Sequence, residues 1–549
     1  MAFSFALPLI AAASALDGAT PASAQTATAP ASPIALSIVD QGWVWEVSSA
    51  AGTTSQLALD LPAGSYVAVT VDSGSADLVV DLKSADGSFL RRLTDSTDWR
   101  RDFNLVVGAP GTYLEAVISP EASIGSAKLT FAKIVTPEHL TGVDASDDTL
   151  LSPTLQALAE QTSDPQAIAA FWQDMQTNGT PLIEPAGEGK SLLTFLYQGA
   201  GQNVRILGSP SADHDYMHRL EGTDVWYRSY EVPNDTRLSY RLAPDIPDVP
   251  GTFWENRIAI LSTAQADPLN LNPWPAEAAD PWRQKSVIEL ADAPAQPFVA
   301  PDDSLPAGTV ETLQFTSERL DNTRDVTFYR PDGFDPADPQ TVLLVLFDGD
   351  AYQQTVDVPG ILDRMQGFGV LPQTAAVLIS NPDMKARGME LPGSQDFSDV
   401  MAQDLLPWAQ QQLGLQVPAV RTVLAGSSYG GLASMRLALD HPDTFGNVIS
   451  MSGSFWWAPK DADPAHGEHT AYRVATTPKQ ELRVFLTAGL FETSRDGSLD
   501  ILNTNRHLRD VLVARGYPAT MREYAGSHDY LIWRGALSDG LTQLFGPAP

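Results

Sequence analysis

Ser428 stands between glycines in the string Gly426-Ser427-Ser428-Tyr429-Gly430. A serine hydroxyl at this spacing suits attack on an acyl carbon, provided the chain turns sharply enough to lift it clear of its neighbours. The residues before it, Arg421-Thr422-Val423-Leu424-Ala425, read as a short buried strand, and Leu432, Met435 and Leu439 recur after it at helical spacing. A strand, elbow and helix are therefore expected, with Ser428 at the apex. The glycines allow a backbone approach that a Cβ would block. The same turn puts the N–H of Tyr429 at a helix N-terminus, where a developing oxyanion is stabilised. Acyl transfer is the chemistry these residue types imply.

A serine hydroxyl is a poor nucleophile without a base, and imidazole suits that role near neutral pH. In α/β-hydrolases the order is serine, acid, histidine, with the histidine on a loop after the last strand. Of the eight histidines, His528 fits: Thr520-Met521-Arg522-Glu523-Tyr524 reads as a strand and Gly526-Ser527-His528-Asp529 as the loop beyond it. His441 sits in a helix-ending His-Pro-Asp turn, His466 and His469 in a polar loop and His507 on a helix, all places for solvated or capping side chains. The acid is expected after the penultimate strand. Beyond Phe485-Leu486-Thr487-Ala488-Gly489 the first carboxylate is Glu492, with Asp496 and Asp500 as competitors in the same loop. A second oxyanion donor is expected from the turn Phe347-Asp348-Gly349-Asp350, by the N–H of Asp350 or of Gly349. Such a set needs no cofactor and no catalytic metal, and neither is expected.

The elements that must carry these groups begin near Val310. Thr341–Phe347, Ala375–Ser380, Asn447–Met451 and Leu482–Thr487 are near-continuous apolar runs, the pattern of strands buried on both faces of a parallel sheet. An α/β-hydrolase domain is expected over residues 305–549, with its site at the C-terminal strand edges. Residues 34–135 alternate in short β-prone runs such as Trp43–Val47, Ser65–Val71, Asp77–Leu82 and Ala127–Phe131, separated by turn signals, and predict an accessory β-sandwich. Residues 150–295 open with helical periodicity as far as Asn178 and continue as a second β-rich section, with strands expected at Leu193–Tyr197, Asn203–Leu207 and Leu238–Leu242. Its Asp/Pro/Trp-rich loop Ala266–Trp282 is long enough to suggest a cover over something. The fold class expected is two N-terminal β-sandwich domains followed by an α/β-hydrolase.

Composition narrows the partners. The 549 residues carry 67 acidic and 34 basic side chains, a formal charge of −33, so nucleic acid is repelled and any anionic substrate needs a local basic pocket. With no cysteine in the chain, disulfides and thiolate chemistry are excluded. The apolar run Phe3–Ala15 and the small-residue site Ala22-Ser23-Ala24 read as a signal peptide over residues 1–24, hence a periplasmic or secreted protein. No later stretch is long and apolar enough to span a bilayer.

Several strings carry a family resemblance. They are His218-Arg219-Leu220-Glu221-Gly222-Thr223-Asp224-Val225-Trp226, Phe347-Asp348-Gly349, Arg387 with Glu390-Leu391, and the elbow. Further on come Ser452-Gly453-Ser454-Phe455-Trp456-Trp457 and Gly526-Ser527-His528-Asp529 followed by Trp533-Arg534-Gly535. In this order they resemble the enterochelin (enterobactin) esterase family, over roughly Leu150 to Phe545. Its members have an N-terminal immunoglobulin-like domain and an esterase-D-type α/β-hydrolase domain. Residues 34–135 resemble the pre-peptidase C-terminal type of β-sandwich.

The resemblance implies hydrolysis of ester bonds in a catecholate siderophore, the trilactone of dihydroxybenzoyl-serine, by Ser428 and His528, and the family also matches at Glu492. The substrate would be the ferric or the apo siderophore, and any iron would arrive with it. The family's Gly-Gly-His is here Gly526-Ser527-His528, and an aromatic position after the strand-turn is shifted toward Tyr352. Ferric catecholates are large, aromatic and anionic and favour aromatic planes and guanidinium groups, so Trp456, Trp457, Arg387 and Tyr352 are the expected substrate contacts. Two other readings are a secreted carboxylesterase of feruloyl or acetyl type and a non-catalytic secreted binding protein.

Overall fold

Residues 342–347, 374–379, 422–427 and 447–451 are buried at every position, which only a sheet covered on both faces provides. In the computed structural model they form the centre of an eight-stranded sheet. Its order is Thr309–Ser317, Asn322–Arg330, Thr374–Ile379, Val342–Phe347, Thr422–Ser427, Asn447–Met451, Arg483–Gly489 and Ala519–Tyr524. From Thr374–Ile379 onward all pairs are parallel. The first two strands form an antiparallel hairpin that the apolar runs do not announce, because its outer strand is mostly exposed. Helices Tyr429–Asp440, Leu406–Leu413 and Ile501–Ala514 pack Leu432, Met435, Leu406 and Leu508 on one face, and Val358–Gly367 and Tyr530–Phe545 pack Ile361, Met365, Ala536 and Leu541 on the other. The parallel topology puts every strand's C-terminal end on one edge.

The structure describes residues 34–37, 42–48, 54–72, 78–95, 102–118, 126–137, 150–208, 210–211, 214–249, 251–463, 466–494 and 498–547. The expected signal peptide over 1–24 and the competing acid Asp496 lie outside the described residues. No helix among the described residues is long and apolar enough to cross a membrane.

Ahead of the hydrolase stand two β-sandwiches. The first stacks a five-stranded and a four-stranded sheet. Leu78–Lys83 alternates buried and half-buried residues, so one face meets the core of Trp45, Leu57, Val69, Leu105 and Phe131. The second stacks two four-stranded sheets behind the helices Pro153–Ala159 and Pro165–Asn178. Phe195 and Tyr240 meet edge to face in its core with ring centroids 4.7 Å apart. The fold is thus multidomain, two β-sandwiches and then an α/β-hydrolase.

One feature of the second domain differs from the sequence expectation. Residues Phe253–Thr263 form a helix inside a section that reads as β-rich, started by a capping box in which Thr252 and Glu255 satisfy each other's backbone N–H. The loop Ala266–Trp282 contributes no residue to the cavity between the second domain and the hydrolase. Asp267 is buried and accepts from Tyr240 Oη and Thr180 Oγ1, each at 2.7 Å, and Asp280 accepts from Arg92 N at 2.6 Å, so the loop's carboxylates tie it to its own domain and to the first sandwich.

Candidate active site

The elbow is strained backbone held from both sides. Ser428 has φ 58° and ψ −121°, a conformation costing roughly 1–3 kcal/mol for a residue with a Cβ. Three hydrogen bonds hold it: Ser428 N to Met451 O at 3.0 Å, and Ser454 N and Leu432 N to Ser428 O at 3.1 Å each. A Cβ on Gly426 would lie 2.6 Å from the carbonyl carbon of Gly430, so the turn closes only with glycine there. Asp348 and Ser452, at the ends of the two flanking strands, also have positive φ, 59° and 50°. Three adjacent strands therefore end in strained residues on one edge. The Ser428 hydroxyl lies half-buried, 3.4 Å from the hydroxyl of Ser454.

Two and three strands along the same edge stand Glu492 and His528. His528 Nδ1 and Glu492 Oε1 are 2.5 Å apart. The other carboxylate oxygen accepts from Ser452 Oγ at 2.7 Å and Gly489 N at 2.6 Å, and Trp533 Nε1 donates to Ser452 Oγ at 3.0 Å. The Trp533 ring also meets the imidazole edge to face at 4.8 Å. The glutamate side chain is 3% exposed and the histidine 39%. A dry, saturated carboxylate on Nδ1 fixes the proton there and leaves Nε2 for proton transfer. Asp500, the competing acid, caps the helix Ile501–Ala514, accepting from Asn503 N at 2.7 Å and Ser494 N at 3.2 Å.

The histidine loop is held across the domain boundary. Arg237 N donates to Ala525 O at 2.9 Å, and a Cβ on Gly526 would lie 2.8 Å from Arg237 O and 2.6 Å from Ile532 Cδ1. Asp529, 3% exposed, pairs with Lys285 Nζ at 3.1 Å and accepts from the Ser239 hydroxyl.

On the oxyanion side Asp348 is left-handed and the helix Gly349–Gln354 starts immediately after it. The N–H groups of Gly349 and Asp350 fall in its first turn, where no intrahelical acceptor exists. A Cβ on Gly430 would come 3.4 Å from Asp348 Oδ2 and from Phe347 Cβ, so this helix start abuts the elbow helix. Asp350 has its own carboxylate turned to Ser380 Oγ at 2.7 Å, and burial raises its pKa.

Three expected substrate contacts do not line the cavity described below. Arg387 gives Nε and Nη2 to Asp348 at 2.7 and 2.8 Å, beside Asn381 Nδ2 at 2.7 Å. Its charge is neutralised by the turn it clamps, and it does not line the cavity described below. Tyr352 is fully buried in the core and edge to face with Tyr530 at 5.3 Å, because the short helix turns that position inward. Trp457 packs over Gly393, where a Cβ would come 2.4 Å from Cη2, and is a core anchor. Trp456 is exposed, tilts against Tyr429 at 6.0 Å and lines the cavity.

That cavity, of about 1110 Å³, opens between the second domain and the hydrolase. Trp456, Phe491, Glu492 and His528 face it from one side, and Tyr240, Arg241, Arg257, Leu261 and Lys285 from the other. Arg241 Nε donates to Gln284 O at 2.9 Å, and burial lowers its pKa. Arg257 Nη1 and His214 Nε2 are 2.7 Å apart. Asp529, paired with Lys285, and Asp500 line the cavity too, so in a chain of net charge −33 the basic character of this wall rests on Arg241 and Arg257. Sequence reasoning asks for such a pocket but names none of its basic residues, since nothing local separates them from the other basic side chains. Among the described residues no group of three or more His, Cys, Asp or Glu is arranged to hold a metal ion.

Ser452 also escapes sequence reasoning, although it lies in a string that carries the family resemblance. Ser452→Ala removes the hydrogen bond to Glu492 and the acceptor of Trp533. Losing a hydrogen bond to a buried charged group predicts a fall in kcat of about 10- to 100-fold with KM within about 2-fold, read by steady-state kinetics on a 4-nitrophenyl ester.

Known proteins share the second domain and the hydrolase. The family model described as putative esterase matches residues 317–544, and that described as enterochelin esterase, N-terminal, matches residues 192–299. The iron(III) enterobactin esterase of Dickeya dadantii is 30% identical over 421 residues, covering 70% of this chain and 95% of the relative. That of Escherichia coli K12 is 32% identical over 340 residues, 60% of this chain and 82% of the relative. Among solved structures, the enterobactin esterase from Shigella flexneri in the presence of enterobactin superposes with a TM-score of 0.54 at 29% identity, covering 68% of this chain and 97% of that one. The ferric enterobactin esterase from Salmonella typhimurium gives 0.57 at 28%, covering 68% and 98%. Likeness of this extent, running through both matched domains, shows that the chain belongs to the enterochelin esterase family of carboxylic ester hydrolases.

Proposed function

We propose that the chain hydrolyses the trilactone esters of a catecholate siderophore of the enterobactin kind through an acyl-enzyme on Ser428. Ser428 Oγ attacks the ester carbonyl while His528 Nε2 takes its proton. The N–H groups of Tyr429 and of Asp350, with Gly349 beside it, hold the oxyanion. Collapse of the tetrahedral intermediate breaks the carbonyl–alkoxy bond, and the imidazolium returns the proton to the departing alcohol. Water, deprotonated by His528, then attacks the acyl-enzyme, releasing the acid and restoring Ser428. Glu492 orients the imidazole and stabilises its cationic form.

One observation carries the substrate class. The His528–Glu492 pair, 2.5 Å apart, faces a cavity of about 1110 Å³ whose far wall bears Arg241, Arg257 and Lys285. A bulky aromatic anion fits that wall and volume better than a neutral feruloyl or acetyl ester does. Trp456 supplies an aromatic plane.

The test is mass spectrometry of products from apo and ferric enterobactin beside a feruloyl ester. Linear trimer and smaller dihydroxybenzoyl-serine fragments are expected. Intact siderophore with cleaved feruloyl ester would sink the substrate reading. Arg257→Ala is expected to raise KM for the ferric complex about 5- to 20-fold with kcat within about 2-fold, and to leave KM for 4-nitrophenyl acetate unchanged. Equal effects on both esters would remove Arg257 from substrate recognition.

A periplasmic or secreted location belongs to the same reading. Its support is the apolar run Phe3–Ala15 followed by Ala22-Ser23-Ala24. N-terminal sequencing of the mature protein is expected to begin at Gln25, and an unprocessed Met1 in the extracytoplasmic fraction would contradict it.

A further inference from the structure

Residues 34–137 lie outside both matched segments, yet they are packed behind the basic wall. The helix Phe253–Thr263 presents Arg257 and Leu261, one turn apart, to the cavity. Glu255, Ala259 and Ser262 fall on the far side, roughly 120–180° round from the midpoint of that pair at about 100° per residue. All three meet the first sandwich. Ala259 is fully buried with Tyr66 and Val249, and Val106 and Val135 pack against them. Lys133 Nζ reaches Glu255 Oε1 at 3.1 Å, while Glu255 Oε2 accepts from Thr252 N at 2.7 Å in the capping box. At the other end Arg91 Nη1 donates to the carbonyl of Ser262 at 2.8 Å, in the last turn, where carbonyls lack helical partners.

The same sandwich holds the approach to Lys285. Arg92 N donates to Asp280 Oδ2 at 2.6 Å, and Arg283 pairs with Asp95 at 3.3 Å. Asp280 caps the turn Pro281–Arg283, and two residues beyond that turn the chain reaches Lys285. A helix of 11 residues is too short to define its own position, so what packs behind it decides where its outward side chains stand.

We infer that the first sandwich is a positioning module for the anion-binding wall of the ester site, holding the helix Phe253–Thr263 at both ends and the turn before Lys285 through Asp280. Lys133 and Arg91 are positioning residues: they touch no substrate and act through Arg257, Leu261 and Lys285. The inference rests on the reading of the cavity as the site of an anionic ester.

The test uses the full-length protein. Lys133→Glu and Arg91→Ala are each expected to raise KM for ferric enterobactin about 5- to 10-fold, with kcat and both constants for 4-nitrophenyl acetate within about 2-fold. Lys133→Arg is expected to restore KM. Hydrogen exchange gives a readout that needs no substrate: amides of 253–263 are expected to exchange about 10-fold faster in both variants, with those of 501–514 unchanged. Unchanged KM together with unchanged exchange overturns the inference, as does a proportional loss on both esters with faster exchange throughout the chain. Wild-type protein that cleaves the neutral ester but leaves ferric enterobactin intact overturns the substrate reading instead. The positioning role then stands or falls on the exchange of 253–263 alone.

Discussion

Ser428→Ala is expected to lower kcat by about 10⁴- to 10⁶-fold while the protein keeps its fold. The size follows from losing the only atom that forms the acyl-enzyme, with oxyanion donors and cavity left to supply what rate remains. Retention of fold follows from the elbow's geometry. The strain at φ 58° belongs to any residue with a Cβ, and the three hydrogen bonds that hold the turn are made by backbone atoms. Among the described residues the hydroxyl gives up its 3.4 Å contact with the Ser454 hydroxyl, so the stability change should stay within about 1 kcal/mol. Thermal unfolding and kcat measured on one preparation separate the two effects.

Glu492→Gln is expected to cost about 10³- to 10⁴-fold in kcat with little change in KM. The carboxylate accepts from three donors: His528 Nδ1, Ser452 Oγ and Gly489 N. An amide has one oxygen, so in one orientation its NH₂ faces His528 Nδ1 and in the other it faces Ser452 Oγ and Gly489 N. Turned toward His528, it favours the tautomer with the proton on Nε2, which cannot accept from Ser428. Turned the other way, it leaves Gly489 N buried and unpaired, a penalty of about 1–3 kcal/mol. Both kcat and the unfolding midpoint should therefore fall. Asp500→Asn is the control, since asparagine caps a helix nearly as well, and kcat is expected within about 2-fold. A large loss in Asp500→Asn with little in Glu492→Gln would exchange the two acids' roles.

How far these groups can be read without a structure depends on how local their determinants are. The elbow is legible because strand burial, glycine spacing and helix phase lie within 19 consecutive residues, Arg421–Leu439. Glu492 and His528 follow from their place after particular strands, and parallel topology then sets those ends on one edge. Tyr352, Trp457 and Arg387 could not be placed that way. Tyr352 turns inward because a six-residue helix has no sequence pattern long enough to fix its phase. Arg387 is taken by Asp348, 39 positions away. The basic wall comes from another domain, and its helix Phe253–Thr263 is hidden among strands, with Thr252 and Glu255 as its one local signal.

Trapping the covalent intermediate tests the central claim most directly. Protein mixed with enterobactin and quenched in acid within one turnover should, by intact mass and peptide mapping, carry an opened trilactone esterified to Ser428. The adduct should be absent from Ser428→Ala and should accumulate in His528→Ala only if attack outpaces hydrolysis there. Burst release of product with the adduct on Ser428 is the predicted result. Full turnover by Ser428→Ala, or an adduct mapped to any other residue, would contradict the account.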